Sequence, residues 1–516
     1  MAPSSPPLRV RLRAILALVA VLGSFFFLLG RAPLFDLDEG AFSQATLEMF
    51  QRGDFLSTTL NGNPRYDKPI LVYWLQAASV AALGPTELAF RLPSAICATL
   101  WALATFLFAR RFFGVERGLL AAAMLATTLG VYVIGRAATA DALLNLLIAG
   151  SMFAAWLHLH TRRRGWLYAT HALIGLGFLA KGPVAILVPF AVTLLFCLLR
   201  RDLRTWARAV FDWRALALFA AVALPWYALI LARDGAGFFK GFFLEHNVER
   251  FSGPLEGHAG SLFYYIPVLL IGLLPFTAVL VPLVRGWRSI WSDDLQTYLL
   301  LWFLFVFAFF SLSGTKLPHY MLYGSTGLLV LAAVHLEGLR ARVPALLPAA
   351  LLFAALLALP WLVRGVLPHV RDEYYQDMLA NVQAYFGAAY FVGIGLALVL
   401  VVALMLERKL ALGDKLVATG IASVLVLSGL VVPLAAQLQQ QPIKEAALLC
   451  RERGLEPIMW RINMPSFSVY RGKPTPSRRP QPGDVVLLKR KRLPDLPGNG
   501  YDVLYARNGI ALVKVR

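Results

Sequence analysis

The sequence predicts an all-α polytopic membrane protein that carries a small α/β domain at its C-terminal end. Three observations lead there. Hydrophobic residues make up 59% of the 516 residues and charged ones only 15%, with a mean hydropathy of +0.65. Soluble globular chains hold roughly 45–50% apolar and about 25% charged residues. Apolar runs long enough to cross a bilayer as helices, about 20 residues, recur as far as residue 436. Beyond residue 439 the pattern changes to short alternating or apolar stretches of strand length.

Thirteen spans are predicted: about 13–30, 88–108, 118–134, 139–160, 166–180, 183–199, 214–232, 262–284, 296–312, 318–336, 344–363, 388–406 and 416–436. The fifth and sixth are short. Arg9 to Leu29 also has the basic start and apolar core of a signal peptide, but no A-x-A site follows it, so it is read as a retained span.

A net charge of +20 raises the question of nucleic acid, and its distribution answers it. With the N-terminus inside, the inner segments hold 21 basic and 8 acidic residues, while the outer segments up to 439 hold 13 and 15. That is the positive-inside pattern of a membrane protein, so no nucleic-acid partner is expected. The thirteen-span count places the C-terminal 77 residues outside. Cys97, Cys197 and Cys450 lie too far apart in sequence to suggest a disulfide framework or a thiolate metal site.

The domain division is therefore a transmembrane domain, 1–439, and an outer domain, 440–516. Two outer loops, 31–87 and 233–261, are long enough to carry structure. In the first, AFSQATLEMF places Phe42, Ala45, Met49 and Phe50 at helical spacing, and PILVYWLQAASVAAL reads as a second helix with Pro69 in its first turn. Both are expected to lie in the interface, anchored by Tyr73 and Trp74. NGNPRYDKP between them is turn-rich. Ahead of them, FDLDEGAF fits a capping box in which Asp36 caps the 40–51 helix and Glu39 reaches back. In the outer domain, PIKEAALLCRERG reads as a helix ended by Gly454, and EPIMWRI, DVVLLKR and GIALVKV read as strands.

Ionisable residues at span ends carry the chemistry, because each costs about 2.5–3.5 kcal/mol at bilayer depth. On this topology Asp38, Glu39, Asp67, Lys68, Arg136, Asp141, Lys181, Glu245, His246, Arg250, His258, Lys316 and His319 gather at the outer surface. Each also has a structural reading. Lys68 could snorkel to the interface, Arg250 could pair with Glu249 or Glu245, and Asp141 could pair with Arg136. Lys181 and Lys316 could cap helix ends.

In order along the chain, DLDEGAFSQATLEMFQRGDF, RYDKPILVYW, AKGP, FFLEHNVERF with FYYIPVLLIGLLPF, and SGTKLPHYML resemble the membrane glycosyltransferases of the aminoarabinose-transferase and protein O-mannosyltransferase type. These have the GT-C fold and use polyprenyl-phosphate-linked sugars. The resemblance runs from the first span to about residue 330, with a weaker echo in PSFSVYRGK. It implies that Asp38 is the catalytic carboxylate, acting as base or orienting the acceptor, helped by Glu39, and that Asp141 is functionally important. It further implies that Lys68, Arg250 and Tyr320 bind the donor phosphate. Asp67, Lys181, Lys316 and Glu245 would contact substrate. No cofactor is required, although Asp67, His246 and His258 could hold a divalent metal. Asp67 stands where the aminoarabinose branch has Glu, and DEGAF departs from that branch's DETRY-like run. The implied activity is inverting transfer of a sugar, aminoarabinose-like or other, from undecaprenyl phosphate to lipid A or a related envelope acceptor at the periplasmic face. A monomer in the bacterial inner membrane is expected, with its N-terminus cytoplasmic and its C-terminal domain periplasmic. The same donor chemistry with a protein or polysaccharide acceptor stays open. So does a transporter of a polyprenyl-linked sugar, though no repeat symmetry is visible in the sequence.

Overall fold

The computed structural model describes residues 8–249, 253, 260–339, 341–498 and 500–516, without the side chains of Leu8 and residues 246–248. Among the described residues, eight helices are long and apolar enough to cross a membrane, or ten if each of two bent pairs is one span. The other three predicted spans are helices too: α1 (Leu8–Phe25), α8 (Arg164–Lys181) and α9 (Val184–Leu199). Helix α9 is too short and α8 too polar to count as a span, while α1 carries three arginines, Arg9, Arg11 and Arg13, in its first turns.

The first outer segment folds as expected, with corrected edges. Helix α2 (Asp38–Arg52) ends on Gly53 at φ 63°, a left-handed turn that favours glycine. It is followed by a hairpin of β1 (Thr59–Leu60) and β2 (Asn63–Pro64), then by α3 (Leu71–Leu83). The expected capping box forms only in part. Glu39 reaches back to accept from Phe35 N–H at 2.8 Å, but the cap position of α2 is Leu37, and Asp36 turns away from the helix. Its carboxylate has found stronger partners elsewhere. Tyr73 is likewise no interfacial anchor: it is fully buried, stacked on Phe42 at 5.3 Å, and its hydroxyl accepts from Arg65 Nε at 3.2 Å. Trp74 is partly exposed and donates to the Phe55 carbonyl.

The spans that position the site start with α4 (Glu87–Phe113), capped by the Thr86 side chain. The pair α5 (Val115–Thr127) and α6 (Leu129–Arg136) bends by 66° at Thr128. Helix α7 (Asp141–Thr161) then runs away from the end of the bundle where α6 stops and α8 returns to it, so that Asp141 and Lys181 meet. Helix α9 leads back to the far end, where α10 (Leu203–Val210) lies before α11 (Trp213–Phe238). A second break, 113°, follows α12 (Tyr265–Gly272), at Pro275, which cannot donate to a helical ladder. At the two breaks the chains meet, Leu129 N–H donating to the Leu274 carbonyl at 2.8 Å. Helices α13 (Asp294–Leu312) and α14 (Leu322–His335) complete the core around buried Trp101 and Trp302, whose indoles donate to Thr326 Oγ1 and the Tyr323 carbonyl.

The C-terminal domain begins with α15 (Gln441–Glu452) and adds α16 (Pro465–Arg471) to a four-stranded sheet. Its strands are β3 (Pro457–Met459), β4 (Val485–Lys489), β5 (Tyr501–Arg507) and β6 (Ile510–Val515), in the order β3-β4-β6-β5. Strands β3 and β4 run parallel; the other pairs are antiparallel. Strand β5 was not expected from sequence. It pairs with β6 through Asn508-Gly509, both at positive φ, the two-residue turn that such a hairpin prefers.

Candidate active site

A cavity of about 630 Å³ opens where the first outer segment, α6, α7, α12 and the start of α14 converge. The two bent spans supply its apolar wall, with Leu129, Val133, Val268, Ile271 and Leu322 among the lining residues. Its charged and titratable lining includes Asp36, Asp38, Glu39, Arg91, Arg136, Asp141 and His319, with Thr139 beside them. One space thus offers a long apolar surface and a set of charged groups.

Asp38 stands in the first turn of α2, exposed, and makes no hydrogen bond or ion pair with another described residue. It lies within electrostatic range of Arg65. Glu39, one residue on, is in the opposite situation. Buried to 5% exposure, it accepts from Arg91 Nε at 2.8 Å and Nη2 at 2.6 Å, and from Ala138 N–H at 2.8 Å. Burial alone would raise its pKa, but the Arg91 guanidinium outweighs it and the carboxyl titrates below its ordinary value. Arg91 also donates to the carbonyls of Leu29, Ala32 and Pro33. Every acceptor position of Glu39 therefore serves to fasten the loop before α2.

The RYDKP turn brings Arg65 and Lys68 within electrostatic range of two cavity carboxylates, Asp38 and Asp141. Arg65 pairs with Asp67 at 2.5 Å and covers the Phe42 ring. Lys68 Nζ donates to the Asp67 carbonyl at 2.9 Å, and it lies within electrostatic range of Asp141. Asp141 does not pair with Arg136, as the spacing suggested. Its Oδ1 takes Lys181 Nζ at 2.5 Å and the Tyr323 hydroxyl at 3.3 Å, with His319 Nε2 at 3.7 Å. Arg136 instead donates to the Ser24 and Phe27 carbonyls, both at 2.8 Å. Those carbonyls belong to the unwound end of the first span, which needs donors.

Tyr320 is buried between Phe310 and His319, with Lys181 Nζ 5.8 Å from its ring. Lys316 departs from the substrate-contact expectation. Its ammonium is buried and donates to the Ser311 and Ser313 carbonyls at 2.7 and 2.8 Å, so it caps the end of α13. Burial lowers its pKa. Glu245 is exposed on the helical turn segment Phe239–Glu249, which packs on Tyr66 through Gly241 and on Gly182 through Phe242. Arg250, His258 and the His246 side chain lie outside the described residues, and the metal trio with them. Among the described residues no three His, Cys, Asp or Glu side chains converge on a metal-sized point, and the Asp67 carboxylate faces Arg65.

With this geometry in view, residues 67–228 match the family model described as dolichyl-phosphate-mannose-protein mannosyltransferase. The structure superposes on a crystal structure of ArnT from Cupriavidus metallidurans bound to undecaprenyl phosphate, with a TM-score of 0.76 at 21% identity, covering 98% of this chain and 97% of that one. The apo form gives 0.77. The fold is the GT-C fold. In sequence the chain is related to the undecaprenyl phosphate-alpha-4-amino-4-deoxy-L-arabinose arabinosyl transferase of Pseudomonas aeruginosa (strain LESB58), 32% identical over 318 residues, 59% of this chain and 56% of that protein. An uncharacterized protein of Aquifex aeolicus (strain VF5) is 29% identical over 323 residues, 62% of this chain and 73% of its own. The chain thus matches little more than half the length of the aminoarabinose transferase of Pseudomonas aeruginosa, and its eight to ten apolar helices among the described residues make it a multi-pass membrane protein.

Sequence reading missed Arg65 and Arg91. The only local signal was cost: an arginine four residues into a span, or beside an aspartate in a turn, needs a partner. Asp36 was seen, but assigned to the wrong helix.

Proposed function

We propose that this GT-C protein is an inverting glycosyltransferase that takes a sugar from a polyprenyl phosphate at the outer face of the bacterial inner membrane. The observation that carries the reading is the cavity, where an apolar wall suited to a polyprenyl chain meets exposed Asp38 and the carboxylate of Asp141, which pairs with Lys181 and lies within electrostatic range of Lys68. The N-terminus is then cytoplasmic and the C-terminal domain periplasmic.

In this reading an acceptor hydroxyl oxygen attacks the anomeric carbon as the carbon–oxygen bond to phosphate breaks. Asp38 takes the hydroxyl proton, a role typically worth 10²–10⁴-fold, and its lack of a structural partner leaves it available. The bonding pair leaves with the phosphate, and neutralising its growing negative charge is assigned to Lys68, Tyr320 and Arg250, the donors that the family resemblance implies. Fixed donors in a dry site stabilise such charge better than water does. Lys181 and Asp141 hold each other and frame the sugar site; Asp67 keeps Arg65 in place, and Glu245 lies on the loop beside Tyr66. Glu39 supports Asp38 through the fold rather than by proton transfer, and Lys316 acts as a cap. No step in this scheme needs a metal.

Lipid A or a related envelope glycolipid is the proposed acceptor. The mannosyltransferase match over 67–228 makes a protein hydroxyl the second acceptor to test. Purified protein in proteoliposomes, given undecaprenyl-phosphate aminoarabinose and either lipid A or a serine-rich peptide, should transfer sugar to one of them by mass spectrometry. Asp38→Asn should slow transfer by about 10²–10⁴-fold. Full transfer by that variant would remove Asp38 from the mechanism, and no transfer by wild type from any polyprenyl-linked sugar would overturn the activity.

A further inference from the structure

Helix α16 of the C-terminal domain grips the first outer segment on both sides of α2. Asp36 lies two residues before Asp38 and in the wall of the same cavity. Its Oδ1 accepts from the Ser466 backbone N–H at 2.9 Å, and its Oδ2 from the Ser466 hydroxyl. Glycine is required beneath this contact. A Cβ at Gly40 would come within 2.1 Å of Asp36 Oδ1 and 2.5 Å of Ser466 N. Three further contacts come from the same helix and its end. The Tyr470 hydroxyl accepts from Leu34 N–H at 2.6 Å, the Ser468 hydroxyl donates to Asn61 Oδ1 at 2.7 Å, and the Gly472 carbonyl accepts from Gln51 at 3.2 Å.

The arrangement is specific in a way that general packing is not. Asp36 meets no cation among the described residues; both its oxygens are taken by one serine, which is 430 positions away. A carboxylate kept half-buried against neutral donors is costly, and an apolar residue would dock a domain more simply. What the contact fixes is the backbone turn that starts α2, in which Gly40 N–H bonds to the Phe35 carbonyl and Ala41 N–H to the Leu37 carbonyl. Asp38 sits within that turn.

We propose that Asp36 is a positioning residue: held by Ser466 of the C-terminal domain, it fixes the first turn of α2 and so aims Asp38 into the cavity. The inference rests on the role given to Asp38 above. It makes the C-terminal domain part of the catalytic alignment rather than an appendage. Because Asp36 acts through its two acceptor contacts, an amide of the same shape should serve: the side chain of Asp36→Asn would still accept from the N–H and could donate to the serine oxygen.

The test compares Asp36→Asn, Asp36→Ala and Ser466→Ala with Asp38→Asn, in full-length protein. Two readings are taken: transfer kinetics with undecaprenyl-phosphate aminoarabinose, and hydrogen exchange of segment 34–42. Asp36→Asn should retain wild-type kcat. Asp36→Ala should lose about 10²-fold in kcat, the cost of a misplacement near 1 Å, with the donor KM unchanged. It should also speed exchange in 34–42 while strands 485–489 and 510–515 stay protected. Ser466→Ala should fall between. If Asp36→Asn is as inactive as Asp38→Asn, Asp36 itself moves a proton and the positioning role is wrong. Unchanged exchange in Asp36→Ala would also overturn it. That second reading needs no substrate, so it judges the clamp even if wild type transfers no sugar.

Discussion

The cavity mouth and the opposite corner of the bundle, residues 199–214, are built from similar charged residues and use them differently. At the mouth Glu39, Arg91, Asp141 and Lys181 are each within hydrogen-bonding distance of a partner and nearly excluded from solvent. At the corner Arg200, Arg201, Arg204, Arg208 and Arg214 are all exposed. The ion pairs there among the described residues, such as Arg200 with Asp294 at 2.7 Å and Arg162 with Asp202 at 3.3 Å, lie on side chains about a third or more exposed. The difference teaches that charge type says little about work. A buried ion pair loses about 3–5 kcal/mol when one partner is removed, whereas an exposed pair is worth about 0–1 kcal/mol. Within the mouth Asp38 is the exception, exposed among buried neighbours, and that contrast is what marks it for chemistry.

The sharpest way to break this comparison is to substitute neighbours of opposite standing. Asp38→Asn should cost about 10²–10⁴-fold in transfer rate while the melting temperature stays at the wild-type value. Arg91→Met should do the reverse in kind. It strands the Glu39 carboxylate and should destabilise by about 3–5 kcal/mol, read as a marked fall in melting temperature in detergent. A fall equivalent to under about 1 kcal/mol would show that the Glu39–Arg91 pair is solvated and that mouth and corner do not differ. Loss of stability in Asp38→Asn would return Asp38 to a structural role.

A smaller effect separates Asp36 from both. Burial pushes its carboxyl up to about 7 from 3.8, against the lowering effect of its two Ser466 hydrogen bonds, with Glu39 adding a further rise. The folded state therefore binds this proton more tightly than the unfolded state. That contribution is fully present below about pH 4, declines as pH rises, and is lost through pH 7. Between pH 5 and 8 wild type should lose about 1–2 kcal/mol relative to Asp36→Asn, after allowance for partial exposure. Parallel melting curves for the two proteins across that range would show that Asp36 is not held as described.

These pairings also explain what the sequence did and did not disclose. Span positions, the two helices between the first and second spans and most tail strands are legible because hydrophobic period and turn residues are local properties. Asp38, Asp141, Lys68 and Lys181 stand out in the sequence because an ionisable group at a span end is costly wherever it is. Their partners were not found, since Asp141 meets Lys181 across 40 residues and Asp36 meets Ser466 across 430. Lys181 and Lys316 looked equivalent in sequence. One faces a carboxylate and the other the carbonyls closing α13, and only the packing of α7 against α8 decides between them. Strand β5 was missed because its outward residues are exposed and its alternation is weak, so its pairing with β6 supplies what its own sequence lacks.

The smallest expected effect tests the corner. Arg204→Ala and Arg208→Ala sit on α10, a short helix capped by Asp202 that buries none of its residues. Neither arginine has an ion-pair partner among the described residues, so each change should alter stability by less than about 0.5 kcal/mol. Their work belongs to the membrane, where a surface lysine or arginine contributes about 1 kcal/mol toward anionic lipid. Replacing Arg200, Arg201, Arg204 and Arg208 together should therefore weaken binding of the detergent-purified protein to phosphatidylglycerol vesicles and leave phosphatidylcholine vesicles unaffected, at an unchanged melting temperature. A large fall in melting temperature would mean that the corner holds the fold as the mouth does. The positive charge there would then be structural, and its use as evidence for which side is inside would be lost.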